Sequence, residues 1–379
     1  MQAHIKLGRL FGITIGLHIS WFVIAALIVL SLAGHFAEIN PLWSGPTVWV
    51  SALVTGLLFF ASLLIHEMAH ALVARARRLP VRSITLFALG GVANMDRDAG
   101  DAPTEFWMGI AGPIMSAVIG GVCLGVVRLL GGFDATNEVT PPSAPLAVFT
   151  WLGYINLALA AFNMLPGFPL DGGRVLRAAI WWMKGDKWMA TRIAARSGQV
   201  LALLFIVFGL GEFFSGQGFG GLWLAMIGWF LFNAAAASLF QMEVFNSLQG
   251  LRVRDVMTQD CERIRSDLSL QEVAEDHVLR TGQRCFLVQD NGRIAGLVTP
   301  GDLKKVDRGL WPLTPVSAVM RPFEHLQTIA PEAPLAEALE RMGREDVNQL
   351  PVMADGHLEG MLTRGQIVRN LESRAELSM

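Results

Sequence analysis

The chain has 379 residues, of which 53% are hydrophobic and only 16% are charged. This composition is too apolar for an ordinary soluble protein and predicts a membrane protein with a soluble part. A formal net charge of -2 argues against nucleic acid and favours a partner in or at the lipid bilayer. Cys123, Cys261 and Cys285 show no CxxC spacing, so we expect three reduced thiols instead of a disulfide framework.

Six apolar stretches are each close to the ~20 residues that a helix needs to cross a bilayer. The first runs from about Phe11 to Ala33 and lacks a signal-peptide cleavage site, so we interpret it as a retained span. The other five centre on residues 47–74, 104–130, 146–166, 197–214 and 221–240. Basic residues cluster before span one, after span two and between spans four and five, which predicts that these loops and both termini are cytoplasmic.

The segment between spans two and three, residues 79–95, alternates in polarity and contains a Gly-Gly pair. Both features favour a β-hairpin over a helix. Non-helical backbone is tolerated at membrane depth only beside protein or a water-filled cavity. A hairpin lying on the cytoplasmic surface is an equal alternative.

The second span contains the motif HEMAH, residues 66–70. His66 and His70 are four residues apart, so both imidazoles lie on one helix face and can bind one zinc ion. Glu67 lies beside the first of them, where it can accept a proton from a water at the metal. Ionisable residues within a span are costly and usually mark function, although packing against polar groups of neighbouring spans is the alternative. His66 would lie roughly 13 Å from Arg75, inside the membrane near its cytoplasmic face.

A catalytic zinc ion needs a third protein ligand and an open coordination position. His18 in the first span is one candidate, although a histidine among apolar neighbours is more often a core or interfacial residue. Asp171 is the stronger candidate, because the fourth span breaks at Pro166 and Pro169 immediately before it. Such a break is expected beside a cavity. A helix N-cap is the competing interpretation of Asp171.

The third span carries Gly112, Ser116 and Gly120 at intervals of four residues. A stripe of small residues allows two helices to approach closely, so its default interpretation is structural.

From about Leu251 the composition becomes that of a soluble domain, and the sequence repeats with a period near 60 residues. Each copy runs from V-x-x-V-M through an amphipathic helix, a short strand and a turn (290–292 and 355–356) to G-x-h-T. This pattern predicts two copies of one small α/β unit. The predicted domains are residues 1–245, 251–308 and 315–374.

HEMAH together with NMLPGFPLDG, residues 163–172, resembles the site-2 protease family of intramembrane zinc metalloproteases, in the subgroup with a C-terminal CBS-domain pair. The resemblance implies that His66, His70 and Asp171 bind zinc and that Glu67 is the general base. It also implies that Asn163 holds substrate or the developing oxyanion, whereas an interhelical hydrogen bond is the alternative. Ser116 stands where many relatives have asparagine.

The repeats resemble CBS domains, whose pairs often bind adenine nucleotides. Thr299 and Asp302 match the T-x-x-D motif of that family, in which the aspartate can accept from ribose hydroxyls. The second copy keeps Thr363 but has Gln366 in place of the acid, which implies one competent nucleotide site. A module that forms a homodimer without a ligand is the alternative.

The sequence therefore predicts a multi-pass protein of the cell (inner) membrane, with six transmembrane helices, a β-hairpin after the second and a cytoplasmic α/β CBS pair. We expect it to cut a transmembrane segment of a membrane-protein substrate after local unwinding, with residues 79–95 pairing with the unwound strand. Two alternatives stay open, a transporter or channel gated by the CBS pair and a proteolytically silent relative. Metal-ligand spacing near one membrane face argues against transport, and the presence of Glu67 argues against the silent relative.

Overall fold

The computed structural model describes residues 4–87, 90–95, 99–131, 142–216, 220–258, 262–283, 285–355 and 357–377. Cys261 and Gly356, which is in the second predicted turn, lie outside these residues. The chain forms two compact units, residues 1–242 and residues 243–379, which we call the membrane unit and the tail. Cys123 and Cys285 are both buried.

Six helices within the described ranges are long and apolar enough to cross a membrane, as predicted. They are α1 (Ile19–Ile39), α2 (Gly45–Ala76), α3 (Ala102–Leu129), α4 (Ala144–Asn163), α6 (Lys187–Phe214) and α7 (Gly220–Ser247). The helix α5 (Asp171–Lys184) lies between α4 and α6 in sequence and is not one of these candidate spans.

The predicted start of the first span, near Phe11, is wrong. Residues before Ile19 form two antiparallel strands, β1 (Ile5–Leu10) and β2 (Ile13–Leu17), and α1 begins only after them. The two residues that join the strands, Phe11 and Gly12, have φ values of 49° and 76°. Positive φ at both positions is typical of the tight turns that join hairpin strands. An apolar run rich in β-branched residues supports either structure, and here the turn selects the strands.

The predicted hairpin is confirmed as β3 (Val81–Phe87) and β4 (Gly90–Met95). It joins the first two strands in one sheet of order β1-β2-β3-β4, in which β2 and β3 run parallel. The apolar side chains of this sheet pack on the second half of α2; the buried members of the cluster include Ile13, Ile15, Ile84, Leu86, Met68, Ala71 and Ala74. The hairpin is therefore built into the membrane unit beside HEMAH, and β4 forms one edge of the sheet.

Helix α3 packs against α2, α4 and α5. Small residues bring α3 and α4 together, because a Cβ atom at Gly120 would lie 2.9 Å from Cγ of Leu157 and 3.0 Å from the carbonyl oxygen of Gly153. The structural interpretation of this part of the stripe is therefore correct.

A tight loop, residues 164–170, connects α4 to α5 and lies against α6. The N–H of Phe168 donates to the carbonyl oxygen of Ala194 at 3.0 Å, and Oγ of Ser197 donates to the carbonyl oxygen of Pro166. Helix α5 has Leu170 as its N-cap, so Asp171 is its first helical residue. The N-cap interpretation of Asp171 is therefore wrong, and its carboxylate is available for another role.

The tail contains the two predicted α/β units. The first comprises β5 (Arg263–Arg265), α8 (Leu270–Glu272) continued by a π-helix (Val273–Leu279), β6 (Phe286–Asp290), β7 (Arg293–Val298) and α9 (Pro300–Leu303). The second comprises β8 (Arg321–Pro322), α10 (Leu335–Arg344), β9 (Gln349–Ala354), β10 (His357–Thr363) and α11 (Arg364–Leu377). Strand β8 completes the sheet β5-β6-β7-β8, so the second unit contributes the last strand of the first unit's sheet.

The close approach of α3 and α4 predicts that Gly120→Val destabilises the membrane unit by about 1–3 kcal/mol, because the added side chain overpacks the contact with Leu157. Gly121→Val is the matched control, since a Cβ atom at Gly121 meets nothing within 4 Å. Thermal unfolding in detergent measures both. Equal melting temperatures for the two variants would contradict the proposed packing.

Candidate metal centre

The second half of α2 places the two histidines of HEMAH in contact. The Nε2 atoms of His66 and His70 lie 3.2 Å apart, and the residues are only 2% and 7% exposed. Their separation of four residues accounts for this arrangement, because such positions are neighbours on one helix face.

Asp171 joins the histidine pair from the first turn of α5. Its Oδ2 atom lies 3.2 Å from Nε2 of His66 and 3.2 Å from Nε2 of His70. The three potential ligand atoms thus form a triangle with edges of 3.2 Å. Tetrahedral zinc with N and O ligands at about 2.0–2.2 Å requires ligand atoms about 3.3–3.6 Å apart. The triangle has nearly this size.

The second ring nitrogens fix the orientation of both imidazoles. Nδ1 of His70 lies 2.5 Å from the carbonyl oxygen of Met108, and Nδ1 of His66 lies 2.8 Å from Oγ of Ser116. A carbonyl oxygen only accepts, so the proton of a neutral His70 is on Nδ1 and its Nε2 atom presents a lone pair. Such outer hydrogen bonds are the usual partners of metal-binding histidines. Nitrogen and carboxylate lone pairs pointing at one position repel each other unless a cation lies between them, so these residues fit a zinc ion.

Helix α3 closes over the histidine pair at Gly112. A Cβ atom there would lie 2.5 Å from Nε2 of His66 and 2.7 Å from Cε1 of His70. Only glycine leaves room for both rings at this position. The small-residue stripe therefore also shapes the metal centre, since Gly112 accommodates the rings and Ser116 bonds one of them.

Glu67 lies beside the centre and faces the sheet. A Cβ atom at Gly91 in β4 would lie 2.7 Å from Cδ and 3.0 Å from Oε1 of Glu67. The edge strand β4 therefore runs directly against the side chain predicted as the general base. A glycine at position 91 permits this close approach of backbone to carboxyl group.

His18 and Asn163 have local partners. His18 is the N-cap of α1, where its Nδ1 atom accepts from the N–H of Ser20 at 3.2 Å. It is not a member of the cluster formed by His66, His70 and Asp171, so the alternative third ligand is not supported. Asn163 is the last residue of α4, and its Nδ2 atom donates to the carbonyl oxygen of Leu159 at 3.1 Å. That bond uses one of its two amide hydrogens.

A buried ion cluster lies close to Asp171 and was not predicted from the sequence. Oε1 of Glu105, on α3, accepts from Nε of Arg174 at 3.0 Å and also from Arg177, both on α5. The partners are 69 and 72 residues apart in sequence, so no local pattern links them. The one sequence signal for this cluster was the position of a charged residue, Glu105, within a predicted membrane span.

In the tail, the T-x-x-[DQ] residues form helix-capping hydrogen bonds. Oδ2 of Asp302 accepts from the N–H and Oγ1 of Thr299 at 3.1 and 2.7 Å. Oε1 of Gln366 accepts from the same two groups of Thr363 at 2.7 and 3.0 Å. The glutamine therefore reproduces the capping role of the aspartate, as expected for the residue three positions after an N-cap threonine.

Asp302 is also the centre of a charged group. Its side chain is fully buried, and its Oδ1 atom lies 2.8 Å from Nζ of Lys305 and 3.4 Å from Nε of Arg321. Burial alone would raise the pKa of Asp302, but the hydrogen bonds from Lys305 and Thr299 and the charge of Arg321 outweigh it and lower the pKa below its ordinary value. Asp302 is therefore a carboxylate at neutral pH.

The sequence profile of Peptidase family M50 matches residues 54–142 and 135–207, and that of the CBS domain matches residues 253–309 and 316–373. A candidate zinc metalloprotease from Synechocystis sp. is 33% identical over 379 residues, covering 99% of this chain and 97% of that protein. A zinc metalloprotease from Methanocaldococcus jannaschii is 29% identical over 380 residues, covering 100% and 99%. The solved structure of a site-2 protease from Methanocaldococcus jannaschii shares 31% identity with a TM-score of 0.43, and the match covers 62% of this chain and 94% of that one.

The first of these relatives matches the chain over almost the full length of both proteins, including HEMAH and the tail. The family profile spans most of α2 and all of α3, α4 and α5, and so includes the three residues of the cluster and the helix that contacts them. The chain therefore belongs to Peptidase family M50 and bears a C-terminal pair of CBS domains.

Proposed function

We propose that His66, His70 and Asp171 hold one zinc ion and that the protein is an endopeptidase that cuts transmembrane segments of membrane-protein substrates. The observation that carries this proposal is the triangle of ligand atoms with 3.2 Å edges, in which Asp171 meets two histidines that lie 105 and 101 positions before it in sequence. Acidic and imidazole groups in an apolar helix bundle are costly, and a bound cation offsets that cost.

When bound, zinc supplies a Lewis acid that makes water nucleophilic near neutral pH and polarises a carbonyl group. Glu67 accepts the proton of the attacking water and returns it to the amine that leaves. Its place next to His66 and against β4 supports this role, because both the metal ligands and a strand on β4 would be within its reach. The remaining amide hydrogen of Asn163 is a donor for the oxyanion that develops on the substrate.

The reaction would take place within the membrane near its cytoplasmic face. HEMAH lies in the last third of α2, and arginines follow at positions 75, 77 and 78. An excess of basic residues marks cytoplasmic loops, so this end of α2, both termini and the tail would be cytoplasmic.

A helical substrate must unwind before water reaches its peptide carbonyls, because helix hydrogen bonds occupy them. Within the described part of the chain, no strand joins β4 on the side away from β3, so this edge can accept a further strand. A segment added to this edge would be extended and would pass beside Glu67. The sheet thus provides both a template for the unwound strand and its alignment with the metal centre.

For Glu67→Gln we expect cleavage of a single-span substrate to fall by about 10²–10⁴-fold, since the glutamine amide accepts no proton, while zinc stays bound. Asp171→Ala is expected to lose zinc as well as cleavage, and His18→Ala to retain both. Metal content and cleavage of purified protein in proteoliposomes measure these outcomes.

Glu38→Gln is the matched control, because Glu38 is exposed on α1 and should not affect either measurement. A Glu67→Gln protein that cleaves at the wild-type rate would refute the proposed base. A wild type that binds zinc but shows no cleavage dependent on Glu67 would instead favour a transporter or a silent relative.

Strand addition predicts that proline in β4, at a residue whose N–H points away from β3, reduces cleavage at least tenfold. Proline removes a donor to the added strand without removing one from the existing pair. The same change on the outer edge of β1, at the opposite side of the sheet, is the control and should leave cleavage intact. Equal cleavage by both variants would remove β4 from the proposal.

We also propose that the CBS pair regulates cleavage by binding an adenine nucleotide at the first unit. Asp302 is ionised and buried, and Lys305 and Arg321 lie beside it with side chains 66% and 48% exposed. An acceptor for ribose hydroxyls thus lies next to cations that suit phosphate groups. A bound nucleotide changes cleavage only through different affinities for two states of the protein.

Asp302→Asn is expected to weaken binding of ATP or AMP to the full-length protein at least tenfold. Asparagine keeps an acceptor for the bonds from Thr299 but loses the charge. Gln366→Ala in the second unit is the control and should bind as the wild type does. Isothermal titration measures the affinities, and a wild type that binds neither nucleotide would favour a tail that only dimerises.

A further inference from the structure

One face of helix α3 contacts both helices that carry predicted zinc ligands, α2 and α5. Glu105, Gly109, Gly112 and Ser116 lie on this face, at spacings of three or four residues. Gly112 and Ser116 contact the histidines of α2, as described above. Glu105 and Gly109 contact α5, which carries Asp171.

The contact at Glu105 is a buried ion cluster. The Glu105 side chain is fully buried, whereas those of Arg174 and Arg177 are 22% and 11% exposed. A carboxylate in such surroundings requires its cationic partners, because an unpaired buried charge is strongly destabilising. Any slide or rotation of α5 along α3 would separate these charges, so the cluster selects one register between the two helices.

The selected register determines where the Asp171 backbone lies. Arg174 is three residues after Asp171, on the next turn of α5. At Gly109 a Cβ atom would lie 3.1 Å from Cβ of Arg174 and 3.2 Å from the carbonyl oxygen of Asp171. The first turn of α5 is therefore in direct contact with α3.

An aspartate side chain has a single methylene group, so it corrects little for a displaced backbone. The Asp171 carboxylate reaches both histidines at 3.2 Å only when the start of α5 is held in place. Site geometry of this kind must be maintained to within about 0.5 Å by the surrounding residues.

Stability alone does not account for this cluster. Buried ion pairs are often no better for stability than apolar residues of similar volume. In addition, Oε2 of Glu105 and Nε of Arg177 have no hydrogen-bond partner among the described residues. An ion cluster with some of its hydrogen-bonding atoms unbonded contributes less stability than a fully bonded one. It still specifies which charged side chains pair with each other.

We infer that Glu105 is a positioning residue, which acts through Arg174 and Arg177 to fix the register of α5 on α3 and thereby the place of the Asp171 carboxylate at the metal centre. The inference rests on the zinc site proposed above. Glu105 accepts from the two arginines and is not one of the three clustered ligands. A substitution of Glu105 should therefore lower zinc affinity, and affect cleavage only through the lost metal.

The test uses the full-length protein in detergent, with Glu105→Gln and Arg174→Gln as variants. Zinc affinity is measured by competition with a chelator, and the visible absorption of the Co²⁺-substituted protein reports the ligand arrangement. We expect zinc affinity to fall at least tenfold in both variants and the Co²⁺ spectrum to change, because Asp171 is displaced. Arg174→Gln leaves a charge-balanced pair between Glu105 and Arg177, so no buried charge is left unpaired. This variant therefore tests the inference if Glu105→Gln does not fold.

Glu337→Gln is the matched control. Glu337 pairs with Arg341 in the tail at 2.9 Å, and its side chain is 48% exposed. It should match the wild type in zinc affinity and Co²⁺ spectrum.

A merely structural role predicts a different pattern. The melting temperature of the metal-free variants would fall, while zinc affinity and the Co²⁺ spectrum stayed at wild-type values, and this result would overturn the inference. If the wild type binds zinc and the variants bind it equally well, only the positioning role is rejected. A wild type that binds no zinc rejects the metal site and the inference together.

Discussion

The contact of α3 with α2 and α5 is the constraint on which the cluster of His66, His70 and Asp171 depends. Polar groups in an apolar bundle require hydrogen-bond or ionic partners, and α3 supplies partners to both histidines and to the arginines that follow Asp171. The Met108 carbonyl and the Ser116 hydroxyl bond the two histidines, and Glu105 bonds the arginines that follow Asp171. Glycine at positions 109 and 112 allows these contacts, because any side chain there would displace the first turn of α5 or an imidazole ring. A helix that contributes none of the three clustered side chains therefore organises all of them.

The sheet adds the second constraint. Its four strands cover the half of α2 that carries HEMAH, with β4 at the edge nearest Glu67. Non-helical backbone in this region is stable because β2 and β3 bury their apolar side chains against α2 and satisfy their backbone groups with one another. The last strand of the described sheet, β4, lies against Glu67. The same sheet therefore supports the fold and, in the proposed function, receives the extended segment.

Local sequence was sufficient where the relevant residues are close along the chain. The spans follow from length and hydrophobicity, the histidine pair from helical periodicity, and the β3–β4 hairpin from alternation with a Gly-Gly pair. It was insufficient at the N-terminus, where an apolar run with β-branched residues suits a strand as well as a helix. The residues that join β1 to β2, at positive φ, and the pairing of β2 with β3 decide the outcome. Pairing with a strand some 70 residues away has no local signature.

The sequence by itself determined the candidate reactive groups and the domain order of this protein: the histidines at one helix face, the glutamate between them, an aspartate after a broken span and a repeated tail. These properties depend on spacing within single elements. Only the tertiary structure decided which groups meet. It placed Asp171 and not His18 with the histidines, used Asp171 as the first residue of α5 and not as its cap, and brought Glu105 to Arg174 and Arg177. The physical reason is that a buried charge requires a partner of opposite sign, but sequence does not specify which of several distant groups the packing of helices will bring within reach.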